Sequence, residues 1–167
     1  MEPIHPKDYS ILELMRAAYK AAEHSNDDST QNGAVMLIGD TFITECNHYP
    51  EKVKITPERL ARPLKYEFIE HAERGIIYKA AKFGLPTDQQ TMIVPWAACS
   101  NCARAIVQSG VKKIIVHQEC MDKTPDRWKE SIDIAMQIMH ESEIEIEYFA
   151  GKIGGVKVLF NGEYWEP

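Results

Sequence analysis

The sequence has no apolar run approaching the roughly 20 residues that a membrane-spanning helix needs, which argues against a membrane protein and a membrane partner. The opening MEPIHPKDYS carries neither the basic segment nor the apolar core of a secretory signal, so the chain is expected in a reducing cytoplasm. Cysteine is scarce, four in 167 residues, and in that compartment the four are thiols or metal ligands. Positive charge is in deficit: the net charge is −6, which argues against broad attraction to a nucleic acid backbone and favours small substrates over a polynucleotide. Repeats, low-complexity tracts and Gly/Ser linkers are missing as well, so residues 1–167 read as one domain, with 152–167 as a C-terminal tail.

What is present alternates between two periods. Residues 10–25 place Ile11, Leu14, Met15, Ala18, Tyr19 and Ala22 on one face at helical spacing. NDDSTQNG (26–33) is turn chemistry, and residues 33–39 and 41–48 form a hairpin around Gly39-Asp40. Residues 49–64 hold three prolines without a period and read as a long loop or lid. A helix over 66–83 ends at Gly84 and Pro86. A strand over 91–97, a helix over 100–109, a strand over 112–118, a helix over 126–142 and a strand over 143–151 follow. Residues 156–165 are a last strand or an ordered tail. Strands alternating with helices of this length predict an α/β fold: three α-β-α layers around a mixed sheet of about five strands, mixed because of the opening hairpin.

The chemistry is concentrated in two short motifs. His71 and Glu73 form a His-x-Glu, and after 25 intervening residues come Cys99 and Cys102 as a Cys-x-x-Cys. Three protein ligands leave the fourth tetrahedral position of zinc open to water, whose pKa the metal lowers. A carboxylate beside such a centre can move protons without ligating it. The two cysteines fall at the start of a helix and one turn in, where the helix N-terminus favours thiolates. A redox pair would need neither His71 nor Glu73. A structural zinc would need a fourth ligand, for which Cys46, Cys120, His48 and His117 are formally available; Cys46 and Cys120 also read as core thiols.

With NDDSTQNGAVMLIG, HAERGIIYKAA and CSNCARAIVQSGVKKIIV, the chain resembles the zinc-dependent cytidine/deoxycytidylate deaminase superfamily, and within it the deoxycytidylate (dCMP) deaminase branch. The resemblance implies a cytidine deaminase-like fold with one catalytic zinc on His71, Cys99 and Cys102, and Glu73 as the proton shuttle. It further implies that the Ala72 backbone N–H meets the pyrimidine carbonyl, that Asn47 bonds a sugar hydroxyl, and that Trp96 and Ala97 line the base pocket, where Trp96 stacks on the base or fills core. Oligomers and control by dCTP and dTTP are common in the branch, so the resemblance implies a homo-oligomer, and a triphosphate substrate would bring Mg²⁺. The chain departs from the family pattern at Ala98, where a proline is usual, and at Arg74-Gly75, where the branch has an asparagine pair.

Substrate choice turns on local charge. Residues 51–65 hold Lys52, Lys54, Arg59, Arg62 and Lys65 against Glu51 and Glu58, a net +3 in an acidic chain, which suits a phosphorylated ligand. Arg74 is a second phosphate candidate. The expected reaction is hydrolytic deamination of a cytosine nucleotide, dCMP to dUMP and then dCTP. A nucleoside or free base such as cytidine, cytosine or guanine is the alternative substrate, and a zinc-stabilised binding module the non-enzyme alternative.

Overall fold

The computed structural model of the protein describes residues 9–167; residues 1–8, most of the segment read for its lack of a signal, lie outside the described residues. Helix α1 (Ile11–Ala22) opens on a capping box: the Ser10 hydroxyl accepts from the Glu13 N–H, and the Glu13 carboxylate accepts from the Ser10 N–H at 2.8 Å. Such a cap is worth about 1 kcal/mol. Strands β1 (Gly33–Ile38) and β2 (Thr41–Cys46) make the expected hairpin, with Gly39 at φ +57° in the turn. Then come α2 (Pro57–Leu60), α3 (Lys65–Phe68), α4 (Ala72–Lys82), β3 (Thr91–Ile93), α5 (Ser100–Gln108), β4 (Lys113–His117), α6 (Gln118–Asp122), α7 (Asp126–Glu141) and β5 (Glu145–Phe149). A final hairpin joins β6 (Val158–Phe160) to β7 (Glu163–Trp165).

The main sheet runs β2-β1-β3-β4-β5. Its first two pairings are antiparallel and its last two parallel, so the sheet has five strands and is mixed, as expected. Alternation along the strands sorts the core into two layers. Val35, Ile93 and Ile115 meet Leu14, Met15 and Ala18 of α1, together with Ile153, Val156 and Val158. Ala34, Met36, Met92, Ile114 and Val116 face the other way, onto Ile76 and Ala80 of α4, Ala103 and Ile106 of α5, and Ala135 and Met139 of α7. Gly33 is forced by this packing: a Cβ there would lie 1.9 Å from the Ala18 carbonyl oxygen.

The structure revises four boundaries. The 49–64 loop contains α2 and leads directly into α3. The helix expected from 66 starts at Ala72, because His48 and Glu70 exchange backbone hydrogen bonds of 3.0 and 2.8 Å and draw residues 69–71 into extended backbone. The 91–97 strand shortens to three residues; Pro95 has no N–H to give a ladder, although its carbonyl still accepts from His117 at 3.0 Å. Residues 156–165 form a separate hairpin that closes on its own chain, where Gln31 N–H donates to the Leu159 carbonyl at 2.8 Å and Gly162 N–H to the Ser29 carbonyl at 2.7 Å.

Candidate active site

Two helix N-termini converge on one point. The His48–Glu70 bridge leaves His71 extended (φ −78°, ψ 152°) as the residue capping α4, with Ala72 and Glu73 in its first turn. Cys99 caps α5, its sulfur accepting from the Cys102 N–H at 3.5 Å. His71 Nδ1 stands 3.5 Å from the sulfur of Cys99 and 3.5 Å from that of Cys102. Tetrahedral zinc with Zn–S of about 2.3 Å and Zn–N of about 2.0–2.1 Å separates N and S ligands by roughly 3.6 Å, so this donor set fits the ion as it stands.

The thiols are an unequal pair. Hydrogen bonding from Cys102, and then from His71, holds the Cys99 thiol down to about 3, while the same bond and burial push Cys102 well up. One thiolate is therefore already favoured where a cation would sit. No fourth His, Cys, Asp or Glu joins the cluster among the described residues. Cys46 and His48 group instead with Glu45, and His117 and Cys120 are buried near Tyr19, with His117 Nδ1 2.7 Å from the Tyr19 hydroxyl. Neither candidate metal cluster is the all-oxygen set that magnesium takes.

A cavity opens beside the cluster. His71, Ala72, Glu73, Asn47, Trp96, Ala97 and Cys99 all line it, so the tertiary structure gathers most of the residues singled out in the sequence. Glu73 is 2% exposed, and burial pushes its carboxyl up to about 7. Trp96 stands as a wall, its indole N–H donating to Thr124 Oγ1 at 3.0 Å and its ring set edge-on to Trp128 and Phe160.

Two charge expectations come out differently. Arg74 is not among the lining residues; its Nε is 2.5 Å from Oε1 of Glu70, in the extended segment before α4. Of the five basic residues in 51–65, only Arg62 and Lys65 reach the cavity. Lys65 is 3% exposed and bound to Asp27 Oδ1 at 2.5 Å, with Asp28 Oδ1 3.4 Å away. Arg59 lies over the Phe68 ring and donates to the Lys54 carbonyl.

Asp27, Arg127 and Trp128 are among the lining residues that went unread in the sequence. Asp27 sits in what reads only as a turn. The first turn of α7 gives no sign of its destination, although Trp128 sets its ring edge-on to Tyr66 at 5.3 Å and near His71 at 5.8 Å, and Arg127 Nη2 donates to Asn161 Oδ1 at 2.8 Å.

Residues 9–118, which hold every donor of the cluster, match the family model described as the cytidine and deoxycytidylate deaminase zinc-binding region. A relative from Aliivibrio fischeri, an uncharacterized deaminase in the luxG 3′ region, is 30% identical over 128 residues, 74% of this chain and 82% of that protein. The deoxycytidylate deaminase of Enterobacteria phage T2 is 43% identical over 58 residues, 35% of this chain and 30% of the phage protein. Among solved structures, the dCMP deaminase of cyanophage S-TIM5, crystallised with dCMP and dUMP, shares the fold: the TM-score is 0.64 at 22% identity, over 81% of this chain and 93% of that one. The chain belongs to the cytidine and deoxycytidylate deaminase zinc-binding family.

Proposed function

We propose that this member of the cytidine and deoxycytidylate deaminase family hydrolyses the exocyclic amine of a cytosine nucleotide, converting dCMP to dUMP and accepting dCTP second. The observation that carries the reading is a single cavity lined both by Glu73 with the His71 and Cys99 donors and by two arginines, Arg62 and Arg127; Cys102 completes the donor set behind it. Arginine matches the geometry and charge of a phosphate, whereas a nucleoside or free base leaves the two guanidinium groups with only neutral partners, Ser29 Oγ for Arg62 and Asn161 Oδ1 for Arg127. The partial match to the phage T2 deoxycytidylate deaminase supports the same choice.

His71, Cys99 and Cys102 would hold the zinc, which would supply a water nucleophile acidic near neutral pH. Glu73 is the proton carrier. Its carboxylate takes a proton from the attacking water and delivers it to N3 of the cytosine as the C4–O bond forms; a second proton goes to the amine, the C4–N4 bond breaks, and ammonia leaves uracil behind. Ala72, in the first turn of α4, offers its backbone N–H to the pyrimidine carbonyl. Trp96 and Trp128, in edge-on contact with each other, form one aromatic wall against which the ring rests and from which water is excluded. The reading places the chain in the cytoplasm as a homo-oligomer; Tyr78 and Phe83, both more than half exposed on and just beyond α4, offer apolar surface for assembly.

The test is ammonia release by zinc-loaded protein from dCMP, dCTP, deoxycytidine, cytosine and guanine in parallel, with Glu73→Ala as control. Turnover confined to the phosphorylated cytosines is the expected result. Turnover confined to an unphosphorylated compound, or undiminished turnover by Glu73→Ala, would overturn the substrate or the role of Glu73 respectively.

A further inference from the structure

Asn47 stands just past the end of β2 and is 6% exposed. A carboxamide has two N–H donors and one oxygen with two lone pairs. Both donors of Asn47 are used within the protein: Nδ2 donates to the Thr30 carbonyl at 2.7 Å and to Asp27 Oδ2 at 3.2 Å. Oδ1 accepts from the Asn32 backbone N–H at 2.8 Å. Asn32 N–H can only donate and the Thr30 carbonyl can only accept, so a single orientation of the amide satisfies both. What is left over for a ligand is one lone pair on Oδ1.

Asp27 is the group around which this arrangement is built. Its Oδ1 accepts from Ser29 N–H at 2.7 Å, Thr30 N–H at 3.0 Å and Lys65 Nζ at 2.5 Å, which leaves Oδ2 facing Asn47. Asp27 is 7% exposed and Lys65, the first residue of α3, is 3% exposed. A buried ion pair therefore ties the turn before β1, the end of β2 and the segment over the cavity together at one carboxylate. Lys65 is occupied as the strut of this node rather than as a free cation for a ligand phosphate.

We propose that Asp27 is a positioning residue for substrate specificity: it holds the Asn47 carboxamide so that Asn47 presents the cavity with an acceptor and no donor, which selects a ligand with a donating sugar hydroxyl. An asparagine at position 27 keeps the shape and reverses the logic. Its oxygen would stay with Ser29, Thr30 and Lys65, turning its NH₂ towards the Asn47 NH₂, and two donors facing each other push the Asn47 amide out of place, although the Asn32 N–H and the Thr30 carbonyl still set which way round it lies.

The inference rests on the nucleotide reading above only for the choice of probe. Zinc-loaded protein is assayed on dCMP against 2′,3′-dideoxycytidine monophosphate, and on deoxycytidine against dideoxycytidine. The wild-type chain should favour the hydroxyl-bearing member by roughly 10- to 100-fold in kcat/KM, the effect of one partly buried hydrogen bond. Asp27→Asn should lose that preference by slowing on dCMP alone, with zinc content unchanged. If Asp27→Asn does not fold because Lys65 has lost its counter-ion, Asp27→Asn/Lys65→Met removes both charges and gives the same readout. Equal losses on both members of a pair, or an undiminished preference, would overturn the role of Asp27. A preference seen only in the nucleoside pair, with no nucleotide turnover, would overturn the nucleotide reading and leave this one standing. No preference in the wild-type chain overturns this inference alone, and no turnover of any of the four compounds overturns both.

Discussion

The imidazole of His71 lies 5.8 Å, centroid to centroid, from the indole of Trp128, inclined at 67°. A metal-ligand candidate from α4 and a cavity wall from α7 are thus in direct contact, and the same indole meets Tyr66 and Trp96. Trp128→Ala should open the cavity without touching a ligand. The expected outcome is a 10- to 100-fold fall in kcat/KM with zinc still bound at one ion per chain, since a buried aromatic wall contributes about 1–3 kcal/mol to holding a ring. Steady-state kinetics with metal analysis on the same sample checks it; loss of zinc would mean that Trp128 positions His71.

The donor set makes zinc removal diagnostic. Chelation should abolish turnover, and stoichiometric zinc should restore it where magnesium does not, because imidazole and thiolate are poor magnesium ligands. Cys99→Ala should lose the ion outright and lower Tm, since the binding free energy of the metal is lost from the folded state. One zinc per chain retained in Cys99→Ala would disprove the ligand set.

Arg62 and Arg127 should separate phosphate recognition from chemistry. Arg62→Gln or Arg127→Gln is expected to raise KM for dCMP about tenfold or more, the worth of a charge-assisted hydrogen bond, with kcat and any deoxycytidine activity unchanged. Equal effects on dCMP and deoxycytidine would show that the arginines maintain the cavity rather than read the phosphate.

Two thiols should stay silent. Burial pushes Cys46 up to about 11 and Cys120 up to about 12, and since the thiolate is the reactive form, alkylation at pH 8 should be slow at both. The sign is that a raised thiol pKa leaves fewer thiolates, so reactivity should rise only as pH approaches 11. Peptide mapping after iodoacetamide treatment, with and without chelator, reads this; fast labelling of Cys120 in folded protein would contradict its burial.

Local patterning was enough for much of this protein. Helical spacing in 10–25 marked the face that α1 buries, Gly39-Asp40 marked the hairpin, and the alternation of strands and helices marked the mixed sheet. The His71/Glu73 and Cys99/Cys102 motifs were legible because each pair sits in the first turn of one helix, where sequence spacing is already geometry. Charge partners were not legible: Arg74 turns to Glu70 and Lys65 to Asp27, choices set by which carboxylate is near once the chain is folded. Where α4 begins was decided by a bridge between His48 and Glu70, a long-range hydrogen-bonded pair that no helical period reports. Only the tertiary structure brought Trp128 and Arg127 to the cavity, because packing α7 against the sheet and α5 fixes where its first turn lies, and contacts between distant segments depend on strand order rather than on spacing along the chain.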